Sequence, residues 1–171
     1  MVKEHARAPV LLLRIYKKDS GVPSVSYAEA LDQALCFGWI DGQKRPFDAN
    51  SWVQKFTPRR AKGSWSKINV GHVNRLIQEG QMTTAGLKEV EAAKADGRWA
   101  AAYDSPANAT VSPEFLKELD RTPKAKEFYA TLNKTNLYSI AYRLQTAKRP
   151  ETRIKRMKLI IDMLARGEKF H

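Results

Sequence analysis

The sequence predicts an α+β fold in which a small N-terminal sheet, in β-α-β-β order, is packed with about six mostly C-terminal α-helices. Segments with strand-like alternation are confined to residues 11–57. From residue 69 onward, apolar residues recur at the three- and four-residue spacing of amphipathic helices. With 171 residues, 43% of them apolar, the chain is long enough to form a core without disulfides or metal. We therefore predict a single domain over residues 1–171.

The first strand and the first helix are marked by local patterns. The apolar run at residues 11–16 predicts a strand that is buried on at least one face, and the Ser-Gly-Val-Pro sequence after it predicts a turn. Ser26 and Glu29 have the spacing of a capping box, and the apolar stripe that follows ends at Gly38. These patterns predict one strand followed by one helix.

Two alternating segments, residues 39–47 and 51–57, predict a hairpin that reverses at residues 48–50. Because successive side chains of a strand point to opposite faces, the second arm has two different faces. One face carries Trp52 and Gln54, and the other carries Val53, Lys55 and Thr57. A sheet surface that mixes aromatic and basic residues in this way suggests a functional surface.

Six further helices are predicted from caps and stop signals. Asn69 is the candidate N-cap of the first, which ends at Gly80, and Thr83 or Thr84 caps the second, which ends at Gly97. The other four are marked by Ser112-Pro113, Thr122-Pro123, the apolar positions of residues 137–144, and Pro150.

The net charge of +12 is concentrated in two segments. Residues 41–75 carry eight Lys or Arg against two Asp, and residues 140–171 carry nine against three acidic residues. If the two segments meet in space, their field would attract phosphate, nucleic acid, anionic lipid or an acidic protein. If the two segments lie on opposite faces, the charge indicates only solubility.

The single cysteine, Cys36, lies in the apolar run ALCFGW, which predicts a small buried side chain rather than a nucleophile. One cysteine cannot form an intrachain disulfide, so we expect a reducing, cytoplasmic location. The apolar run at residues 9–13 is far shorter than the roughly 20 residues of a membrane-spanning helix. We predict neither a signal peptide nor a membrane span.

The segment from residue 36 to residue 69 contains three of the four tryptophans together with turn signals and basic residues. An Arg-rich loop that leads into a helix forms a sound anion site, because the free backbone N–H groups and the helix dipole add to the guanidinium charge. The predicted binding residues are Lys44, Arg45, Arg59, Arg60 and Lys67. Support is predicted from Trp39, Trp52, Phe56, Trp65, Asp41, Ser66 and Asn69, with Asp41 forming an ion pair that orients Arg45 or Arg59. The alternative is that the tryptophans are core residues, Ser66 and Asn69 are caps, and the arginines are solvated.

The second predicted cluster is on the last helix. With a helix start at Pro150, Arg153 and Arg156 share one flank and would grip a carboxylate or phosphate together. The alternative is a solvated helix face.

Catalytic patterns are not apparent in the sequence. His5, His72 and His171 do not have metal-ligand spacing, and there is no Gly-rich phosphate loop, GxSxG or CxxC motif. We therefore predict no catalytic residues, no metal and no cofactor.

Five segments in order, SYAEALDQALCFGWIDGQK, FTPRR, SWSKIN, LIQEGQMTTAGLKEVEAAKADGRW and AKRPETRIKRM, resemble the YdeI/OmpD-associated family, also described as bacteriocin-protection proteins. The resemblance implies a mixed sheet and helix fold, a cytosolic bacterial protein and no established catalytic activity. It also supports Arg153 and Arg156, since TRxxR belongs to the family pattern. Family members usually have a further segment before the first strand, and we expect any element that it contributes to be missing here.

Three functions are compatible with these observations. The leading prediction is a non-catalytic domain that binds an anionic partner through a basic aromatic surface, in stress or bacteriocin protection. The partner is a phosphate-containing ligand, an acidic protein, or nucleic acid whose bases stack on Trp and Phe. One alternative is an enzyme or small-molecule-binding protein whose pocket, between sheet and helices, is lined by Trp39, Trp65 and Tyr142. The other is a protein-interaction module, and the oligomeric state is left open.

Overall fold

The computed structural model describes residues 3–170 and contains two compact units that divide between Ala100 and Ala101. The N-terminal unit contains β1 (Leu11–Tyr16), α1 (Tyr27–Cys36), β2 (Trp39–Asp48), β3 (Ser51–Pro58), α2 (Lys67–Gln78) and α3 (Thr84–Ala95). The C-terminal unit contains α4 (Pro113–Asp120), α5 (Pro123–Ala130), α6 (Lys134–Gln145) and α7 (Pro150–Ala165). The α+β class is confirmed: among the described residues, one α-helix lies between the first two strands and six follow the third. The single domain stays a prediction, and each unit is described by itself.

The sheet is antiparallel, with β3 at its centre between β1 and β2. β1 pairs with β3 from Leu11 opposite Phe56 to Tyr16 opposite Ser51. β2 also pairs with β3, and the chain reverses between them through a tight turn. In this turn Asp48 Oδ1 accepts a hydrogen bond from the backbone N–H of Asn50, at 2.9 Å. The predicted hairpin is therefore confirmed.

The two faces of the sheet differ in burial. Ile15, Gln54 and Phe56 are buried on one face, whereas Leu12 and Lys55 are exposed on the other. The prediction that β1 is buried on one face holds only in part, because Ile15 is the one buried residue in that strand. As an edge strand, β1 has a neighbour on one side only.

Local signals place the helix ends in the N-terminal unit. The Ser26–Glu29 capping box is formed as predicted, and α1 is followed by Gly38 with a left-handed φ of 74°. The prediction of Asn69 as the cap of α2 is wrong: Ser66 is the N-cap, and its Oγ accepts a hydrogen bond from the Asn69 N–H at 3.2 Å. Both residues are good caps, and the earlier one adds almost a turn to the helix.

The four helices of the C-terminal unit surround a core of their own. Ser112 caps α4 and Asn133 caps α6, whereas the side chain of Thr122 makes no capping hydrogen bond at α5. The buried core consists of Phe115, Leu119, Ala125, Ile140, Leu144, Ile160 and Leu164. Within residues 3–170, no helix is both long enough and apolar enough to cross a bilayer.

Gly86 marks a close approach between α1 and α3. The Thr83 hydroxyl and N–H both donate to the Cys36 carbonyl, at 2.6 and 3.1 Å, which brings the start of α3 against the end of α1. A Cβ on Gly86 would lie 2.3 Å from that same carbonyl oxygen. The glycine is therefore required by contact with backbone rather than by its own φ.

We expect Gly86→Ala to lower the free energy of unfolding by about 2 kcal/mol, because the Cβ forces α1 and α3 apart. The matched control is Gly71→Ala in α2, where a Cβ meets nothing within 4 Å. That change should raise stability by about 0.5–1 kcal/mol, since alanine favours the helix. Urea denaturation of both variants measures the difference, and equal effects would contradict the close approach.

Candidate anion-binding site

A cavity of about 470 Å3 lies in the N-terminal unit, where the β2–β3 hairpin leads into the loop before α2. Three cationic residues line it, Lys55, Arg59 and Arg60, against one carboxylate, Asp41. The remaining lining residues are Ile40, Gly42, Gln43, Thr57, Pro58, Gly63 and Ser64. The excess of cations gives this concave surface a positive potential.

An irregularity in the hairpin shapes the floor of the cavity. The β2–β3 register shifts between Asp41 and Lys44, so the intervening Gly42 and Gln43 have no ladder partner there. The buried Gln54 compensates by donating through Nε2 to the Gly42 carbonyl at 2.9 Å. The irregular segment is therefore held in place, and its two residues line the cavity.

Arg59 is held over the ring of Trp65. Its guanidinium carbon lies 3.5 Å from the ring centre, and its Nη2 donates to the Ser64 carbonyl at 3.1 Å. Trp65 is only 2% exposed and packs against Trp99 at 4.8 Å between ring centres. Stacking and hydrogen bonding together restrict the guanidinium, as suits an arginine that presents charge at a fixed position.

A second arginine, Arg98, holds the other side of the loop. It is 7% exposed, its Nε donates to both carboxylate oxygens of Asp96 at 2.7–2.8 Å, and its Nη1 donates to the Gly63 carbonyl at 3.0 Å. Arg98 is not predicted from the sequence, since an arginine beside a tryptophan carries no pattern that points to residue 63. Lys55 is not predicted as a binding residue either, although strand alternation places it on the face opposite to Trp52 and Gln54.

Asp41 has a different partner from the one predicted. Its Oδ2 accepts a hydrogen bond from the Tyr27 hydroxyl at 2.8 Å, whereas Arg45 donates to the Gln43 side chain and Arg59 to Ser64. The ion pair predicted for Asp41 with Arg45 or Arg59 is therefore wrong. Burial and then the hydrogen bond to this carboxylate raise the pKa of Tyr27 well above its ordinary value.

The predicted aromatic residues are mostly core residues. Trp39, Phe56 and Trp65 are buried, and Trp39 donates from its indole nitrogen to the His5 carbonyl at 3.2 Å. Trp52 is half-buried and has the Lys44 ammonium over its ring at 4.2 Å. Trp39, Phe56 and Trp65 are therefore core residues, the alternative left open for the tryptophans, and no nucleic-acid base can stack on their buried rings.

The start of α2 lies outside the cavity lining. The cavity lining does not include Ser66, Lys67 or Asn69. The backbone N–H of Asn69 already donates a hydrogen bond to the Ser66 hydroxyl. The cavity is therefore lined by residues of the hairpin and the loop, including Arg59 and Arg60, and not by the start of α2.

Arg153 and Arg156 interact with separate groups in the C-terminal unit. Arg153 pairs with Glu114 at 3.0 Å and lines a groove between α4 and α7 of about 660 Å3. Arg156 donates to the Arg143 carbonyl at 2.6 Å and to the Thr146 hydroxyl at 3.3 Å, which satisfies groups at the end of α6. The structure therefore does not bring the two guanidinium groups together around one anion.

Two further features bear on chemistry. Cys36 is buried as predicted, and burial raises the pKa of its thiol, which favours the unreactive form. Across the described part of the chain, no three His, Cys, Asp or Glu side chains form a group suited to a metal ion.

We expect Tyr27→Phe to lower the free energy of unfolding at neutral pH by about 0.5 kcal/mol, because a partly exposed hydrogen bond to Asp41 is lost. Because the pKa of Tyr27 is raised in the folded state, its hydroxyl contributes fully to the free energy of unfolding below about pH 10 and progressively less above that pH. The stability difference between the two proteins should therefore be constant from neutral pH to about pH 9 and shrink at higher pH. A difference that grows at alkaline pH would contradict this assignment.

Arg98→Met should lower the free energy of unfolding by about 2 kcal/mol, since it removes a buried guanidinium from Asp96 and from the Gly63 carbonyl. The control is Arg121→Met, which breaks an exposed ion pair with Glu118. That change should alter stability by less than about 0.5 kcal/mol. Denaturant titration compares the two, and equal losses would argue against a structural role for Arg98.

Two protein-family models match separate parts of the chain, and each part lies within one of the two compact units. Residues 1–89, more than half of the chain, match the model described as Domain of unknown function (DUF8412). Residues 108–167 match the model described as Bacteriocin-protection, YdeI or OmpD-Associated, which confirms the resemblance found in the sequence.

Two curated relatives are named Enolase-phosphatase E1. The Neurospora crassa protein is 32% identical over 125 residues, covering 66% of this chain and 53% of the relative. The Sordaria macrospora protein is 34% identical over 122 residues, covering 68% and 46%. The chain thus spans about half the length of the curated relatives it matches.

No solved structure gives a significant match. The family assignment therefore rests on the two family models. The chain belongs to the DUF8412 family, whose model matches its N-terminal half, and residues 108–167 match the bacteriocin-protection, YdeI or OmpD-associated model.

Proposed function

We propose that the N-terminal unit binds a ligand that carries a phosphate or carboxylate group, in the cavity lined by Lys55, Arg59 and Arg60. One observation carries the proposal: three cations line one concave surface, and the single carboxylate beside them already accepts a hydrogen bond from Tyr27. An anion would balance the charge of the cations.

The geometry favours a small ligand. Pockets for small molecules typically enclose roughly 300–1,000 Å3, and this cavity has about 470 Å3. Arginine recognises phosphate and carboxylate through paired N–H groups, and lysine adds a point charge. Arg59 is already held by Trp65 and Ser64, so less side-chain freedom is lost when an anion binds.

The similar proteins are in keeping with such a ligand. The curated relatives carry the name of a phosphatase, an enzyme that acts on phosphate compounds, although the match covers about half of their length. The description of the C-terminal family adds bacteriocin protection as a biological setting. We propose a non-catalytic binding role in that setting, in the cytoplasm.

The charge of Arg60 provides a direct test. We expect Arg60→Gln to weaken the binding of ethyl phosphate about tenfold, because a charge-assisted hydrogen bond is lost. Isothermal titration calorimetry at fixed ionic strength measures the affinity. The matched control is Lys62→Gln, which makes the same change of charge in the same loop at a residue outside the cavity lining.

Three results are informative. Weakening in Arg60→Gln with little change in Lys62→Gln supports the site. Equal weakening in both variants indicates a general charge effect and contradicts it. Failure of ethyl phosphate, inorganic phosphate and acetate to bind the native protein would overturn the proposed function.

A further inference from the structure

A second cavity, of about 460 Å3, lies on the open face of the sheet. Its apolar part is formed by Val10, Leu12, Pro46 and Val53. Gln43, Arg45 and Lys55 complete the lining. Gln43 and Lys55 also line the first cavity, so the two cavities are neighbours with a shared border.

The strand register explains this arrangement. Leu12 of β1 lies opposite Lys55, and Arg45 of β2 lies opposite Val53, so all four side chains are on neighbouring positions of the sheet. Because every second side chain of a strand points to the same face, Val53, Lys55 and Thr57 follow one another along one face of β3. The distance from the first to the last of these residues is about 13 Å. An apolar surface therefore continues into a cationic one along a single strand.

The apolar part is open to water. Leu12 is 63% exposed and Val10 is 39% exposed, on the face of the sheet opposite to the buried Phe56. Arg45 and Lys55 also line this surface. The aliphatic stems of such long cationic side chains can cover apolar area while their charged ends stay in water. Covering these groups with apolar atoms would remove them from water, which favours binding in proportion to the area buried.

We propose that the ligand of this protein is a single-chain amphiphile, with a phosphate or carboxylate head in the first cavity and an alkyl or acyl chain along the second. The inference rests on the proposed function and names the chemical class of its ligand. It follows because the cavity that three cations line borders the cavity that Val10, Leu12 and Val53 line.

The lining disfavours two other kinds of anion. None of the residues that line the two cavities is aromatic, so the bases of a nucleic acid would have no ring to stack on. A peptide laid across Val10, Leu12, Pro46 and Val53 would bury backbone N–H and C=O groups against apolar side chains. An alkyl chain has no such groups to satisfy.

A series of alkyl phosphates tests the proposal. Ethyl, butyl, hexyl and octyl phosphate are titrated into the native protein by calorimetry, each below its micelle-forming concentration. Full burial of one methylene strengthens binding about fourfold, so half-burial on an open face should give about twofold per methylene. We therefore expect octyl phosphate to bind about 60-fold more tightly than ethyl phosphate.

The apolar side chains are tested by the double variant Leu12→Gln/Val53→Thr. Both positions are outside the buried core, and threonine keeps the branched shape and strand preference of valine. We expect the affinity for ethyl phosphate to stay within twofold of native and the gain with chain length to fall to a few-fold. The control is Leu159→Gln on α7, a leucine of similar exposure, which should keep the full gain. Circular dichroism verifies the fold, and Val53→Thr alone replaces the double variant if that protein does not fold.

Each outcome has a distinct meaning. Binding of ethyl phosphate without any gain for longer chains overturns the inference and leaves the proposed function standing. A full gain in Leu12→Gln/Val53→Thr places the chain elsewhere and also overturns it. Binding to vesicles of anionic phospholipid without affinity for octyl phosphate indicates a membrane surface and overturns it too. Failure of the alkyl phosphates, inorganic phosphate and acetate to bind overturns both proposals.

Discussion

The candidate site depends on the burial of Trp65. The ring packs against Trp99 in the core of the N-terminal unit, and the Arg59 guanidinium lies over it. A guanidinium is planar and weakly hydrated, so it covers an aromatic ring while its N–H groups still donate in its plane. Arg59 uses one of them for the Ser64 carbonyl. The same contact therefore completes the core and fixes a positive charge beside the cavity.

The loop after β3 has little regular structure, so its backbone carbonyls are not paired in a sheet or a helix. Arginine side chains donate hydrogen bonds to two of these carbonyls instead. The carbonyls of Gly63 and Ser64 accept from Arg98 and Arg59, and Gly63 N–H donates to the Arg60 carbonyl at 2.8 Å. Backbone groups satisfied in this way hold a loop in one conformation. A cavity bordered by such a loop needs little reordering when a ligand arrives, which favours binding.

Much of the fold could be predicted because its signals are local. The capping box at Ser26, the glycine after α1 and the Ser-Pro pair at α4 each act within about four residues of the chain. The start of α2 was misplaced because Ser66 and Asn69 are both competent caps, and only the donor geometry at the Ser66 hydroxyl distinguishes them. The hairpin was predicted from alternation, yet its register shift beside Gly42 leaves no trace in that pattern.

The residue sequence was sufficient to identify the resemblance to the YdeI/OmpD-associated family, the order of the elements and the basic character of residues 41–75, since composition and short spacings carry that information. The tertiary fold decided which aromatic rings are buried, that Asp41 meets Tyr27, and that Arg98 reaches Gly63 from 35 positions away. It also placed Leu12 opposite Lys55, joining an apolar surface to a cationic one. Such pairs are brought together by strand register and packing, which depend on the whole core rather than on neighbouring residues.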